Sequence, residues 1–557
     1  MTAADGVVPI LGGTAGPLLG LAGPLLGLAG PVLGTAVPLE AVLALAVIGL
    51  LGLLGSIGSA GAGARRAGGG SSILRSGWRA GAWFTVGARR GADGDEAHEA
   101  RWATRRDLGP MVLRHPQPGR VVVGRVGRLL VAAEPGSSVL VVGPTQSQKT
   151  SGVAIPAILE WPGPVVAASV KADLARHSVG WRSGLGRVWV YDPAMVVSDA
   201  LATAGAEPVH WTPVDAASTW SGARRAAASL VDSARRGESP MSDGDFWYAS
   251  AAKLVGPLLH AAAVSGAGIT EVLRWLDDQD TDTPAAALSA AAAFPALQAA
   301  RACWGRDARQ RSAVYATAES VLEAYADLPS PSDGWSRGWS GVAEAPRFEP
   351  DRLLAGTDTL YLCAPAHHQR RLRPLFTTLV AQVLDAAMDQ AERTGRGLDP
   401  PLLVIVDEAA NIAPLPDLDV LAATASGHGI QLLTVWQDLA QITARYGPRA
   451  GTVVNNHRTK LFLSGIADPA TLDHAAALVG EHEAQHQTTT VDRQGRASAT
   501  WAPSRHRLLA PDTLRRLPPG HGVVVSGHRQ PCRVRLRTWF ADPYLRQRGR
   551  TGTGSLS

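Results

Sequence analysis

The chain of 557 residues is 46% hydrophobic and 18% charged, which allows two or three domains with packed cores and excludes a wholly disordered protein. Its formal charge of +5 permits an anionic partner but does not require one. The three cysteines, Cys303, Cys363 and Cys532, are far apart and lack metal-ligand spacing, so we expect buried, reduced thiols in a cytosolic bulk.

The N-terminal segment predicts a membrane anchor. Residues 6–39 carry no charge and are built on near-repeats of GPLLGLA, which hold too much glycine and proline for a stable soluble helix. A second uncharged run follows Glu40, and its stretch 41–61 is long enough for one transmembrane helix. The arginines that begin at Arg65 predict that the rest of the chain lies on the cytoplasmic side of the cell membrane. Whether residues 15–37 form a first crossing stays open.

The next segments predict a linker and then the first strands of a sheet. Residues 64–110 are rich in glycine, arginine and alanine, as is typical of a linker. RVVVGRV and RLLVAAE predict a β-hairpin that leads into the apolar run 139–142, and VVAAS and RVWVY predict two further strands. Because helical patterns separate these strands, we expect a parallel α/β sheet.

Residues 143–150, which follow the apolar run, predict a phosphate-binding loop. GPTQSQKT matches Gly-x-x-x-x-Gly-Lys-Ser/Thr at three of its four fixed positions. In this pattern backbone N–H groups and a helix N-terminus surround a phosphate, while Lys149 supplies a positive charge and Thr150 a ligand for Mg²⁺. The residues predicted to bind nucleotide are Gly143, Pro144, Thr145, Gln146, Ser147, Gln148, Lys149, Thr150 and Ser151.

Gln148 occupies the position at which the pattern has glycine. A non-glycine residue that is forced into a left-handed backbone conformation costs about 1–2 kcal/mol. This strain would weaken nucleotide binding by roughly tenfold, since 1.4 kcal/mol corresponds to one decade. The remaining chemical groups of the site are present, so we expect an altered but active site.

Strand patterns disappear between residues 197 and 345, where alanine-rich helical patterns predict an all-α domain inserted into the α/β domain. They return in DTLYLCAP, PLLVIVDEA, IQLLTVWQD, KLFLSGI and GVVVSG. The predicted organisation is an anchor (1–63), a basic linker (64–110), the first part of a nucleotide-binding domain (111–196), an all-α insertion (197–345), the second part of the nucleotide-binding domain (346–545) and a disordered tail (546–557).

Two of the returning strands end in residues that suit ATP hydrolysis. Asp407 and Glu408 follow the run 402–406, so we expect Asp407 to lie near Mg²⁺ and Glu408 to orient or deprotonate the attacking water. Gln437 ends the run LLTVWQ and is a candidate sensor of the γ-phosphate, although it is also consistent with a solvated loop residue. With the phosphate-binding loop, these residues predict a P-loop ATPase that uses ATP and Mg²⁺.

From about residue 101 to 545 the chain resembles the type IV coupling proteins, the TraG/TraD-like ATPases of bacterial conjugation. The resemblance is carried by the phosphate-loop segment, by LLVIVDEAANI, by HGIQLLTVWQDLAQITARYG, by a strand segment with Asn455 and Asn456, and by LLAPDTLRRLPPGHGVVVSGHRQP. It implies a RecA-like P-loop NTPase domain with an inserted all-α domain and an N-terminal transmembrane anchor, assembled as a homo-hexamer. Such a protein couples relaxase-bound single-stranded DNA to the channel proteins of a type IV secretion system.

The resemblance also implies a role for each site residue. Lys149 would contact the β- and γ-phosphates, Thr150 and Asp407 would hold Mg²⁺, Glu408 would activate water and Gln437 would report hydrolysis. A ring ATPase also needs an arginine finger from a neighbouring subunit. Arg445 and Arg458 are candidates for the finger. Family members often carry arginine shortly before the Gly-Ile step, where this chain departs from the pattern with Ser426 and His428.

Two other functions stay open on the sequence. A non-hydrolysing or weakly hydrolysing receptor would recruit protein cargo to a secretion machine. A double-stranded DNA translocase is disfavoured by the large helical insertion and by the lack of a recognisable C-terminal DNA-reading domain. The arginine-rich helices near 222–236 and 301–311 are candidates for phosphate contacts with DNA, or else ordinary solvated faces.

Overall fold

The computed structural model describes residues 100–194, 201–235, 242–326, 345–364, 366–491, 494–495 and 497–551. These residues belong to one of the two units into which the chain divides, Arg79–Ser557. The predicted anchor, 1–63, and most of the predicted linker lie outside the described residues. Within them, no helix combines the length and the apolar character that a membrane crossing requires.

A large mixed sheet organises the described part of the chain. Its thirteen strands lie in the order β1-β3-β2-β15-β14-β11-β4-β10-β9-β5-β8-β6-β7, and a separate hairpin pairs β12 with β13. The strands are β1 (Val112–Leu113), β2 (Val122–Val126), β3 (Leu129–Ala132), β4 (Val139–Val142), β5 (Val165–Ser169), β6 (Val188–Tyr191), β7 (Ala206–Pro208), β8 (Thr359–Cys363), β9 (Leu402–Val406), β10 (Ile430–Trp436), β11 (Thr459–Leu463), β12 (Glu481–Val491), β13 (Ala497–Arg507), β14 (His521–Ser526) and β15 (Cys532–Arg535).

The eight strands from β11 to β7 are all parallel, as the alternation of strand and helix patterns predicts. Strands β4, β5, β8, β9, β10 and β11 are buried along their whole length. Continuous apolar sequence produces this burial, because helices cover both faces of a parallel sheet. The predicted hairpin is β2–β3, and the outer strands next to it pair antiparallel.

Helices cover the sheet and form the insertion between β7 and β8. The helices are α1 (Arg105–Leu108), α2 (Ile155–Glu160), α3 (Asp173–Arg176), α4 (Val179–Arg182), α5 (Trp220–Ala234), α6 (Ser242–Ser265), α7 (Ile269–Asp277), α8 (Asp282–Ala290), α9 (Phe294–Trp304), α10 (Ala308–Ala326), α11 (Pro350–Leu354), α12 (Gln369–Thr394), α13 (Leu418–Thr424), α14 (Leu439–Tyr446), α15 (Ala450–Asn456), α16 (Pro469–Val479), α17 (Pro511–Arg515) and α18 (Pro543–Gly549).

Helix α6 is the centre of the helical insertion. It packs against α5, α7, α8, α9 and α10, and its residues Leu254 and Leu258 are fully buried. The same apolar core includes Tyr315 of α10 and Val404 of β9, so the insertion packs onto one face of the sheet. The alanine-rich sequence suits this arrangement because small side chains let helices approach closely.

The predicted all-α segment 197–345 starts too early. Residues 206–208 form β7, which pairs with β6 at the edge of the sheet. The prediction missed this strand because Ala206-Glu207-Pro208 is short, charged at its centre and ends in proline, which is tolerated in a sheet chiefly at an edge.

Three further predictions differ from the structure. The C-terminal end of the predicted linker is packed, since Ala103 donates its N–H to the carbonyl of Pro531 at 2.9 Å. The predicted tail begins inside α18, where Gly549 is buried. Asn456 ends a helix rather than beginning a strand. In each case the local sequence is polar or glycine-bearing, and contacts with distant residues decide the structure.

Candidate nucleotide site

The carboxyl ends of three adjacent parallel strands bring the predicted site segments together. Strand β10 lies between β4 and β9, so the phosphate-binding loop follows one neighbour and Asp407-Glu408 follows the other. Gln437 follows the central strand. The first residue of the loop is tied to this strand, since Gly143 donates its N–H to the carbonyl of Trp436 at 3.0 Å. All three predicted segments therefore meet at one edge of the sheet.

Asp407 and Thr150 form the direct contact between the two halves of the site. The Thr150 hydroxyl donates to Oδ2 of Asp407 at 2.8 Å, across 257 positions of sequence. Asp407 is only 4% exposed, and its Oδ1 has no hydrogen-bond partner among the described residues. Burial raises the pKa of Asp407 to about 6, while the Thr150 hydroxyl and the Lys149 charge oppose that rise. A buried carboxylate oxygen without a partner beside a threonine hydroxyl fits a Mg²⁺ ion.

Lys149 begins the helical turn that follows the loop, and its side chain is buried. Its ammonium donates to the carbonyl of Pro144 at 3.1 Å, so the side chain folds back over the loop. Burial lowers the pKa of Lys149, and the negative charges of Asp407 and Glu408 oppose that shift. The Ser147 hydroxyl is also buried without a described partner. A buried cation, a spare hydroxyl and a helix start together fit a bound phosphate.

Left-handed backbone conformations are concentrated in this site. Among the described residues, five non-glycine residues have positive φ, and three of them are Gln146 (65°), Gln148 (67°) and Glu408 (60°). The left-handed conformation expected at Gln148 is confirmed. That of Gln146 was not predicted, since the loop pattern accepts any residue at its position. Such strain persists only where surrounding contacts hold it, and it is typical of functional sites.

The backbone around Glu408 and Gln437 is held by local hydrogen bonds. The Glu408 carbonyl accepts from the N–H of Asn411 at 2.8 Å, and Gln437 donates its N–H to Oε1 of Gln441 at 3.0 Å. Glu408 and Gln437 are both partly buried at the edge of the sheet. Sequence reasoning missed Gln441, because its part in holding Gln437 depends on the turn into α14.

Both candidates for the arginine finger have partners within the chain. Arg445 donates to the carbonyl of Asp232 at 2.9 Å, which ties α14 to α5 of the insertion. Arg458 lies 3.2 Å from Oε2 of Glu134, and Arg529 contacts the other oxygen of the same carboxylate. Within the single chain, Arg445 therefore joins two helices, whereas Arg458 is half exposed in a surface ion pair. Ser426 and His428 lie on the turn before β10, at the opposite edge of the sheet from the phosphate-binding loop.

A buried histidine supports the central strand of the site. His457 donates from Nδ1 to the carbonyl of Val453 at 2.7 Å, and its Nε2 accepts from the Thr434 hydroxyl at 3.0 Å. Thr434 also accepts from the indole N–H of Trp436 at 3.0 Å. Burial lowers the pKa of His457 to about 4, so the ring is neutral at physiological pH.

This pKa predicts how stability depends on pH. Below about pH 6.5 the unfolded chain protonates His457, whereas the folded chain does so only near pH 4. The contribution of the neutral ring to the free energy of unfolding should therefore be complete above pH 6.5 and decrease as the pH falls to 4. Urea unfolding across this range should show that the free energy of unfolding of the wild type falls more steeply than that of His457→Leu, by up to about 1.4 kcal/mol per pH unit. The exposed His115, changed to glutamine, should leave the wild-type profile unaltered. Parallel profiles for wild type and His457→Leu would contradict this prediction.

Comparison with known proteins identifies the family. A family model described as Type IV secretory system Conjugative DNA transfer matches residues 92–556. The chain belongs to this family.

The chain is 26% identical over 415 residues to a conjugal transfer protein TraG of Escherichia coli, and the match covers 68% of this chain and 61% of that protein. A second TraG of Escherichia coli is 25% identical over 488 residues, with 78% and 73% covered. VirD4 of Agrobacterium fabrum (strain C58 / ATCC 33970) is 22% identical over 442 residues, with 75% and 61% covered. The chain thus spans from 61% to 73% of these relatives.

Solved structures of a bacterial conjugative coupling protein share this fold. The conjugative coupling protein TrwB, in a trigonal form with sulphate, superposes with a TM-score of 0.59 at 19% identity, covering 81% of this chain and 96% of that one. TrwB in complex with ADP and Mg²⁺ gives a TM-score of 0.57 at 18% identity, covering 79% and 93%. The predicted RecA-like α/β fold and the predicted resemblance to type IV coupling proteins are both confirmed.

Proposed function

We propose that this coupling protein hydrolyses ATP to deliver relaxase-bound single-stranded DNA to a type IV secretion channel. One observation supports it most directly: the hydrogen bond from Thr150 to Asp407, which joins the phosphate-binding loop to the acidic end of β9. Family membership supplies the link to conjugative DNA transfer. The solved relative with ADP and Mg²⁺ supports a nucleotide and Mg²⁺ as the ligands.

Each side chain in the site has a proposed task. ATP, bound together with Mg²⁺, supplies the phosphoanhydride bond whose cleavage drives delivery of the DNA. The backbone from Gly143 to Ser151 surrounds the phosphates, and Lys149 neutralises their charge. Thr150 and Asp407 would hold the metal, since their oxygen atoms lie within hydrogen-bond distance of each other. Glu408 accepts a proton from the attacking water, and Gln437 senses the γ-phosphate from the end of β10.

The assembly and its location are also proposed. Residues 1–63 anchor the protein in the cytoplasmic membrane through one or two helices, with the bulk of the chain in the cytoplasm. Six copies form a ring. A second candidate is a weakly hydrolysing receptor for protein cargo, and the left-handed strain at Gln148 favours it.

ATP turnover by the full chain tests the proposal. We expect turnover that single-stranded DNA stimulates and that Lys149→Ala lowers by about 10²–10³-fold, because the buried cation beside the phosphates is lost. Lys253→Ala is the matched control, since Lys253 is exposed on α6 of the insertion.

Two outcomes would change the assignment. Wild-type turnover no greater than that of Lys149→Ala, with nucleotide binding retained, would favour the cargo receptor. Stronger stimulation by duplex than by single-stranded DNA would favour a double-stranded DNA translocase.

A further inference from the structure

The side chain of Gln148 reaches a distant segment of the chain. Its carboxamide lies against Gly520, in the turn that leads into β14. A Cβ built on Gly520 would lie 2.6 Å from Oε1 of Gln148, closer than real Cβ contacts come. Gly520 itself has a φ of 75°. The two residues, 372 positions apart, are thus in close contact, and the Gln148 carboxamide occupies the space that a side chain at position 520 would need.

Three more contacts close a ring that includes Gln148. Gly152 donates its N–H to the carbonyl of Gln148 at 2.8 Å. A Cβ on Gly152 would lie 2.8 Å from Cδ1 of Leu536, so the turn after the loop packs directly on that leucine. Leu536 in turn donates its N–H to the carbonyl of Gly520 at 2.7 Å. Gln148, Gly152, Leu536 and Gly520 thus form a closed set of contacts, which we call the Gln148 ring.

The ring links the phosphate-binding loop to the C-terminal strands. Gly520 precedes β14 and Leu536 follows β15, so one end of this antiparallel strand pair contacts the loop and the turn behind it. The segment 518–521 is itself braced, since His521 donates its N–H to the carbonyl of Pro518 at 3.1 Å. The side chain of Gln148 is thus held by a segment outside the loop. A glycine at position 148 has no side chain to make this contact, so only the loop itself would hold its backbone.

We propose that Gln148 is a positioning residue that holds the phosphate-binding loop in its nucleotide-binding conformation by packing its side chain against Gly520. The proposal rests on the nucleotide binding proposed above. The contact offsets part of the backbone strain, and the C-terminal strand pair becomes part of the support of the nucleotide site. Gly520 leaves the space that the Gln148 carboxamide fills, so the two residues should be tested as a pair.

Substitutions at position 148 separate the contact from the strain. Gln148→Ala removes the carboxamide but leaves a non-glycine residue in the left-handed conformation, whereas Gln148→Gly removes both. We expect Gln148→Ala to bind a fluorescent ADP analogue about tenfold more weakly than wild type and more weakly than Gln148→Gly. Binding of the analogue by Gln148→Ala as tight as that by wild type would overturn the proposal.

A double-mutant cycle with Gly520→Ala tests the pairing. In wild type, Gly520→Ala should weaken binding of the analogue by at least tenfold, and in the Gln148→Gly background by less than threefold, because the clash is gone. Gly127→Ala is the control for strain alone, since Gly127 has a φ of 60° and nothing within 4 Å of a built Cβ; it should change binding less than twofold.

The cycle also separates this proposal from the proposed function. Equal effects of Gly520→Ala in both backgrounds would overturn the pairing while leaving nucleotide binding in place. Failure of the wild-type chain to bind the analogue would instead overturn the proposed function. Melting temperatures of all variants distinguish a local effect on the loop from general unfolding, and Gln148→Ala decides the question even where Gly520→Ala fails to fold.

Discussion

Replacing Glu408 by glutamine is expected to lower kcat for ATP hydrolysis by about 10²–10⁴-fold while nucleotide affinity stays close to that of wild type. The change keeps the size of the side chain and removes the proton acceptor. Glu408 follows Asp407 at the end of β9 and is held in a left-handed conformation at a φ of 60°. Steady-state ATPase assays and equilibrium binding of a nucleotide analogue, on the same preparation, check this result.

The exposed Glu392 on α12 provides the matched control. Glu392→Gln should leave both kcat and affinity unchanged. If Glu408→Gln lost affinity and kcat in parallel, Glu408 would have a binding or structural role instead. If kcat were unaffected, another group would activate the water.

Replacing Arg537 by methionine is expected to lower the free energy of unfolding by about 3–5 kcal/mol. Arg537 is only 5% exposed and lies 2.7 Å from Glu160 and 2.9 Å from Asp542. Burial raises the pKa of Glu160 even beside this arginine. Removing the guanidinium leaves a buried carboxylate without its partner at the end of α2, the helix behind the phosphate-binding loop. Urea unfolding of the full chain measures the loss.

Two further variants make the stability test specific. Arg516→Met breaks the exposed pair with Asp512 and should change the free energy of unfolding by no more than about 1 kcal/mol. Adding Glu160→Gln to Arg537→Met should recover part of the lost stability, because it removes the uncompensated charge. Equal losses for Arg516→Met and Arg537→Met would show that burial of the Arg537 network contributes nothing.

Elements whose signal lies in one continuous stretch of residues could be predicted from the sequence alone. Buried parallel strands such as β4 and β9 need unbroken runs of apolar residues, and these runs are visible without any structure. The phosphate-binding loop, with Lys149 and Thr150 at its end, needs its residues in a fixed local order. The placement of Asp407 and Glu408 at the end of β9 could be predicted for the same reason, since it follows from adjacency in sequence.

Most of the features that the sequence did not reveal depend on distant contacts. The hairpin β12–β13 is an exception, since its strands pair with each other, but their polar sequence lacks the apolar alternation that predicts a strand. The short edge strand β7 has no local signal that separates it from the insertion that follows it. The predicted linker ends in residues that pack because Ala103 reaches Pro531. The left-handed conformation of Gln146 likewise has no signal in its own sequence.

Sequence alone thus indicated the family resemblance, most of the parallel strands and the residues that are predicted to form the nucleotide site. The tertiary structure decided that β10 separates β4 from β9, that Thr150 meets Asp407, and that Gln148 packs against Gly520. The physical reason is the range of the interactions. Backbone propensity and short motifs act over a few residues, whereas these contacts join residues hundreds of positions apart and form only when the sheet has assembled.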